Sequence, residues 1–171
     1  PLVLGHRGAR REAPENTLES FDLAVAQGAA GVELDVRLDG SGRVVVLHDR
    51  TLERVTQGAD QRDVEDLSAS DVDRLELDGG ARVPSLEAVL DWAARGEYLV
   101  NVELKRDVTQ RRGLVWGVAG LLRTHPAARG RVLLSSFDPL FVRALAWLVP
   151  AVPVCWLVHA KQRMLSAGPG F

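Results

Sequence analysis

Apolar residues in this chain follow two alternating rhythms. Runs at 2–6, 31–37, 43–48, 98–105, 131–136 and 152–158 have the length and apolar content of β-strands. Between them, segments 16–27, 70–75, 85–94, 112–125 and 139–148 predict helices. In the first helix Leu18, Phe21, Ala24 and Val25 repeat at helical spacing, and Gly28 suits its C-terminal cap. Asn16 reads as its N-cap, with Glu19 three residues on in capping-box position. Ser85 and Asp138-Pro139 read as further helix starts. Strand and helix in turn predict parallel pairing through helical crossovers, an α/β fold in one domain over residues 1–171. The polar connection at 49–84 is expected to decorate the strand ends and is a candidate for substrate contacts.

Two strands break the apolar rule. In 31–37, Val32, Leu34 and Val36 share one face while Glu33 and Asp35 share the other; in 98–105, Asn101, Glu103 and Lys105 oppose Val100, Val102 and Leu104. A half-solvated antiparallel sheet would explain one such strand. A parallel sheet is covered on both faces, so two of them direct the charges into a barrel interior or a crevice at the strand C-termini. Three carboxylates gathered there repel one another, and a bound cation removes that penalty. All-oxygen ligands from Glu33, Asp35 and Glu103 suit a hard ion, Mg²⁺ or Ca²⁺. Lys105 adds a fixed positive charge, and cation plus lysine is an anion-binding combination for which phosphate is the obvious partner.

Two of the four histidines, His6 and His48, end predicted strands. His6 is followed by Arg7 and Gly8, and His48 by Asp49, a candidate orienting acid. Imidazoles on opposite sides of a phosphoester can serve as acid and base. His125 and His159 take a structural reading.

Composition narrows the class. With 21 basic and 23 acidic residues the net charge is −2, and 46% of residues are hydrophobic, as in an ordinary globular domain. That overall balance argues against a nucleic-acid or polybasic membrane partner. The single cysteine, Cys155, forms neither an intramolecular disulfide nor a zinc cage, and its apolar neighbours predict a buried position. Arg143, Pro150 and Pro153 interrupt the most apolar stretch, so it reads as helix, turn and strand and no transmembrane segment is expected. No signal peptide opens the chain, which favours a cytoplasmic location. Residues 166–171 read as a loop.

Five pieces in order carry a resemblance: Gly5-His6-Arg7-Gly8, Pro14-Glu15-Asn16-Thr17, Glu33-Leu34-Asp35-Val36, His48-Asp49 and Glu103-Leu104-Lys105, with Ser136-Phe137 as a further element. The chain resembles the glycerophosphodiester phosphodiesterase family. The resemblance implies a TIM-barrel hydrolase that cleaves small-molecule glycerophosphodiesters to glycerol 3-phosphate and an alcohol. It implies a divalent cation on Glu33, Asp35 and Glu103, His6 and His48 as acid and base, and Arg7 and Lys105 on the phosphate. In the family mechanism a glycerol hydroxyl attacks first, and water opens the resulting cyclic phosphate. Glu15 and Asn16 are supports of the His6 loop first and site residues second, whereas Phe137 either walls the cleft or joins the core.

A barrel of this type has eight strands in about 250 residues. The expectation is therefore an incomplete barrel whose C-terminal strands are absent, with an open edge near 152–158 that makes self-association possible. Alternatives are a phospholipase D-like hydrolase of lysophospholipid head groups, which a long hydrophobic groove beside the cation would favour, and a non-catalytic metal- or phosphate-binding fragment.

Overall fold

The structure, a computed structural model, describes residues 2–159; the loop expected at 166–171 lies outside them. Its strands are Leu4–His6 (β1), Gly31–Leu38 (β2), Val44–Val46 (β3), Leu99–Leu104 (β4), Val132–Ser136 (β5) and Val154–Trp156 (β6). Its helices are Leu18–Ala26 (α1), Ala69–Arg74 (α2), Leu86–Gly96 (α3), Arg111–Thr124 (α4), Pro126–Arg129 (α5) and Pro139–Leu148 (α6). The sheet order is β1-β2-β4-β5-β6, parallel throughout, and β3 returns antiparallel against the end of β2. This is the expected β/α alternation. Among the described residues β1 and β6 each have one strand partner, so the barrel is not closed.

The period-2 pattern decides which face packs. Val32, Leu34, Val36, Val100, Val102 and Leu104 are buried against Phe21, Leu90, Leu114, Leu122 and Leu145 of the helices. Glu33, Asp35, Asn101 and Glu103 therefore project from the opposite, inner face. No helix is long and apolar enough to cross a membrane among the described residues.

Local capping follows the sequence at two helix starts. Ser85 Oγ accepts from Ala88 N at 3.1 Å, and Asp138 accepts from Leu140 N with Pro139 in the first turn. At α1 the expectation fails. The N-cap is Thr17, whose Oγ1 accepts from Ser20 N, while Asn16 sits at φ 59° with its amide turned away from the helix. The physical reason is a competing partner, described below.

Two further expectations change. The 49–84 connection is not only decoration: Leu52, Val55, Val64, Leu67, Val72 and Leu77 form a second, smaller core beneath Val45 and Leu47. These apolar residues are too widely spaced to give a periodic signal. Cys155 is exposed rather than buried. It lies on β6, whose only strand partner among the described residues is β5, so that side of it has no neighbouring strand. His125 fulfils its structural reading, with Nδ1 2.8 Å from the carbonyl of Leu121 at the end of α4.

Candidate active site

Parallel register brings the inner-face polar residues side by side. His6 pairs with Glu33, Glu33 with Asn101, Asp35 with Glu103, and Glu103 with Ser135. Carboxylate oxygens of Glu33, Asp35 and Glu103 consequently lie within 4.8 Å of one another. His6 stands at the same end, its Nε2 3.6 Å from Glu33 Oε2.

Charge around the cluster is unevenly compensated. Lys105 Nζ lies 2.9 Å from both Asp35 Oδ1 and Glu103 Oε1, and Arg7 Nε lies 3.1 Å from Asp35 Oδ2. Burial acts to raise Asp35, but Lys105 and the Asn16 hydrogen bond outweigh it and hold that carboxyl below its ordinary value. Glu33 has no comparable partner. Burial, and then the charges of Asp35 and Glu103, push it up to about 7. Two positive side chains thus serve three acids. A hard divalent cation would supply the missing charge, and all-oxygen donors, Asp35 buried and Glu33 and Glu103 half-buried, fit such an ion. One more polar atom waits here: Arg7 Nε is buried, and its approach to Asp35 makes no hydrogen bond. An incoming oxyanion suits it.

The β1–α1 loop is shaped by close approach. Gly8 has φ 80°, and a Cβ there would meet Ser20 Oγ at 2.1 Å, so only glycine lets the loop fold onto α1. Ser20 Oγ in turn donates to the Arg7 carbonyl at 3.0 Å. The buried Asn16 side chain spans to β2: Nδ2 donates to Asp35 Oδ2 at 3.1 Å, and Oδ1 accepts from Asp35 N at 3.4 Å. A buried carboxylate needs donors more than α1 needs this particular cap, and asparagine tolerates positive φ. Asn16→Ala is expected to cost about 2–3 kcal/mol, from the lost charge-assisted bond and the strained backbone. Urea unfolding would check it; a loss below about 0.5 kcal/mol would contradict it.

A chain of ion pairs joins the two histidine loops. Glu15 Oε1 lies 3.1 Å from Arg7 NH1 and 2.7 Å from Arg54 NH2; Arg54 Nε reaches Asp49, whose Oδ1 is 2.6 Å from His48 Nδ1. Burial opposes ionisation of Glu15 and Asp49, but Arg54 outweighs it at both and keeps them below their usual values. From the other side Arg37 Nε donates to the His48 carbonyl at 2.9 Å, and its NH2 is bidentate on Asp107. Burial and then the charges of Arg7 and Arg10 lower His6 below the ordinary histidine value.

Of the ten residues singled out from the sequence, Glu33 and Asp35 lie within β2, His6 ends β1 and Glu103 lies one residue from the end of β4, while Arg7, Glu15, Asn16, His48, Lys105 and Phe137 lie in loops that follow strands. Phe137 is outside the packed core and stacks on His159, centroids 4.4 Å apart. The cleft beside the β1–α1 loop, about 420 Å³, has a mixed wall, with Arg10, Arg11, Glu15 and Arg54 beside Pro14, Val55 and Leu77. Sequence reasoning missed Arg37, Arg54 and the stacking of His159. Arg37 was within reach, since it continues the Glu33, Asp35 alternation by one step. Nothing in the sequence marks Arg54.

The model of the glycerophosphoryl diester phosphodiesterase family matches residues 6–168. The chain belongs to this family. Its α/β barrel is the family's fold, open among the described residues. Similar proteins include probable glycerophosphodiester phosphodiesterase 1 of Mycobacterium tuberculosis, 52% identical over 98% of this chain and 68% of that protein. Among solved structures, the glycerophosphodiester phosphodiesterase of Agrobacterium tumefaciens aligns with TM-score 0.77 and 36% identity over 90% of this chain and 65% of that one. An Oleispira antarctica phosphodiesterase in complex with the product sn-glycerol-3-phosphate aligns with TM-score 0.85 and 27% identity over 95% of this chain and 68% of that one. The chain therefore spans about two thirds of the length of these relatives.

Proposed function

We propose that the protein carrying this chain hydrolyses glycerophosphodiesters to glycerol 3-phosphate and an alcohol, with a divalent cation and an imidazole pair. The observation that carries the reading is the under-compensated cluster of Glu33, Asp35 and Glu103 beside His6, with His48 oriented by Asp49. Family membership and the glycerol phosphate product in the Oleispira relative support the substrate class.

Glu33, Asp35 and Glu103 would hold the cation, Mg²⁺ or Ca²⁺, which would supply polarisation of a phosphoryl oxygen. Arg7 and Lys105 balance the charge of the phosphodiester, and the free Arg7 Nε orients one of its oxygens. His6, held below its usual value and so neutral near pH 7, takes the proton of the attacking glycerol hydroxyl. With Nδ1 turned to Asp49, His48 presents Nε2 and gives its proton to the leaving alcohol oxygen. The roles reverse when water opens the cyclic phosphate. Phe137, outside the packed core and following β5, offers an apolar surface to the substrate.

The test is release of glycerol 3-phosphate from glycerophosphocholine, with Mg²⁺ or Ca²⁺ and with EDTA. Cation-dependent release is expected; none from the full-length protein at any cation would overturn the proposal. Glu103→Gln is expected to weaken cation binding on the order of tenfold, because one charged ligand is removed. An unchanged calorimetric titration would remove Glu103 from the ligand set.

A further inference from the structure

The overall charge of −2 conceals a division along the chain. Residues 1–107 hold 13 basic and 22 acidic side chains, whereas residues 108–171 hold eight basic ones and a single acid, Asp138. That acid is committed, since Arg111 of α4 pairs with it. Neither α4 nor α6 contains an aspartate or glutamate. Arg112 and Arg143 are exposed, and neither has an ion pair among the described residues.

The same two helices expose apolar groups. A groove of about 460 Å³ runs between them, walled by Val115, Trp116, Phe141 and Trp147. Trp147 is 78% exposed, Leu140 68% and Trp116 53%. Large apolar side chains are left in water here by helices whose other faces are packed in the core. Both walls belong to this chain and meet each other, so the groove is formed without a further element. Arg111, Arg112 and Leu140 occupy the first turns of α4 and α6, which follow the C-terminal ends of β4 and β5. The face therefore begins at the same end of the barrel as the carboxylate cluster.

We propose that the α4/α6 face docks on an anionic phospholipid bilayer. Tryptophan favours the boundary between acyl chains and head groups, and arginine can pair its guanidinium with lipid phosphate while its stem lies on apolar surface. Exposed tryptophan and leucine on helices that also carry Arg112 and Arg143, neither ion-paired among the described residues, match that boundary in both charge and polarity. A second copy of the chain matches it poorly. A two-fold contact would set these arginines against their own counterparts, with no acid on either helix to pair them. The whole-chain charge balance, which argued against a membrane partner, averages this face away.

The experiment is co-sedimentation of the full-length protein with vesicles of phosphatidylcholine alone and of phosphatidylcholine with phosphatidylglycerol, following tryptophan fluorescence. Binding is expected on the anionic vesicles only, with a blue shift and with weakening at high salt. Each arginine near the surface contributes about fivefold, so Arg112→Gln with Arg143→Gln is expected to weaken binding roughly thirtyfold. Trp147→Ala is expected to weaken it on the order of tenfold. None of these exposed substitutions is expected to change turnover of soluble glycerophosphocholine, which separates this face from the catalytic reading. Absence of vesicle binding, equal binding to neutral vesicles, or variants that bind like the parent would each overturn the proposal. Light scattering that shows a dimer dispersed by Trp147→Ala would assign the face to a second copy instead.

Discussion

His48→Ala is expected to lower kcat by about 10²–10⁴-fold, the range that a positioned proton donor contributes, with cation affinity nearly unchanged. The clustered carboxylates come from β2 and β4, whereas His48 follows β3 and is held by Asp49 and Arg37. Removing the imidazole leaves those carboxylates and their ladder intact. Calorimetric titration beside steady-state kinetics checks the pair of outcomes. A comparable loss of cation binding would mean that His48 belongs to the ligand set and not to proton transfer.

Glu33→Gln is expected to stabilise the cation-free protein and to reduce the stabilisation a cation brings. Without a cation the Glu33 carboxyl is raised from 4.5 to about 7, so the folded chain retains a proton that the unfolded chain releases between those values. Its contribution is full below about pH 4.5 and is lost as pH rises through about 7. At pH 8 the folded state carries a buried carboxylate at a cost on the order of 3 kcal/mol, which an uncharged amide of the same shape does not. In EDTA the variant should therefore melt above the parent at pH 8 and level with it near pH 4.5. Saturating Mg²⁺ or Ca²⁺ should narrow that difference by selective binding to the folded parent. A melting difference that does not change with pH would sink this account of Glu33.

Much of this arrangement was legible because parallel sheets leave little room for ambiguity. Glu33, Asp35, Glu103 and Lys105 stand out where both faces should be apolar, and that contrast is enough to assign them to the inner face. His6 and His48 follow from where their strands end. Asn16 was misread because a local rule, helix capping, competed with a buried acid 19 residues away that needed its amide. Arg54 is invisible for a similar reason. Its partners Glu15 and Asp49 lie in two different loops that only the fold brings together. Exposure of Cys155 depends on what stands beside β6, which no neighbouring residue encodes. The second core escaped notice because its apolar residues are scattered through 49–84 without a period.

The ladder that pairs Asp35 with Glu103 has one more effect, on how a population of molecules behaves. A slip of one residue between β2 and β4 would reverse every side chain of β4. Val102 and Leu104 would leave the helix layer, and Glu103 would enter it unpaired among leucine and valine. Such a chain could not complete its core, so it would remain unfolded rather than persist as a folded but miswired species. The spacing of the carboxylates is thus inspected by the same event that buries the hydrophobic residues. In any preparation the fraction able to hold the cation and the fraction that is folded should be one number, with no inert native-like pool between them.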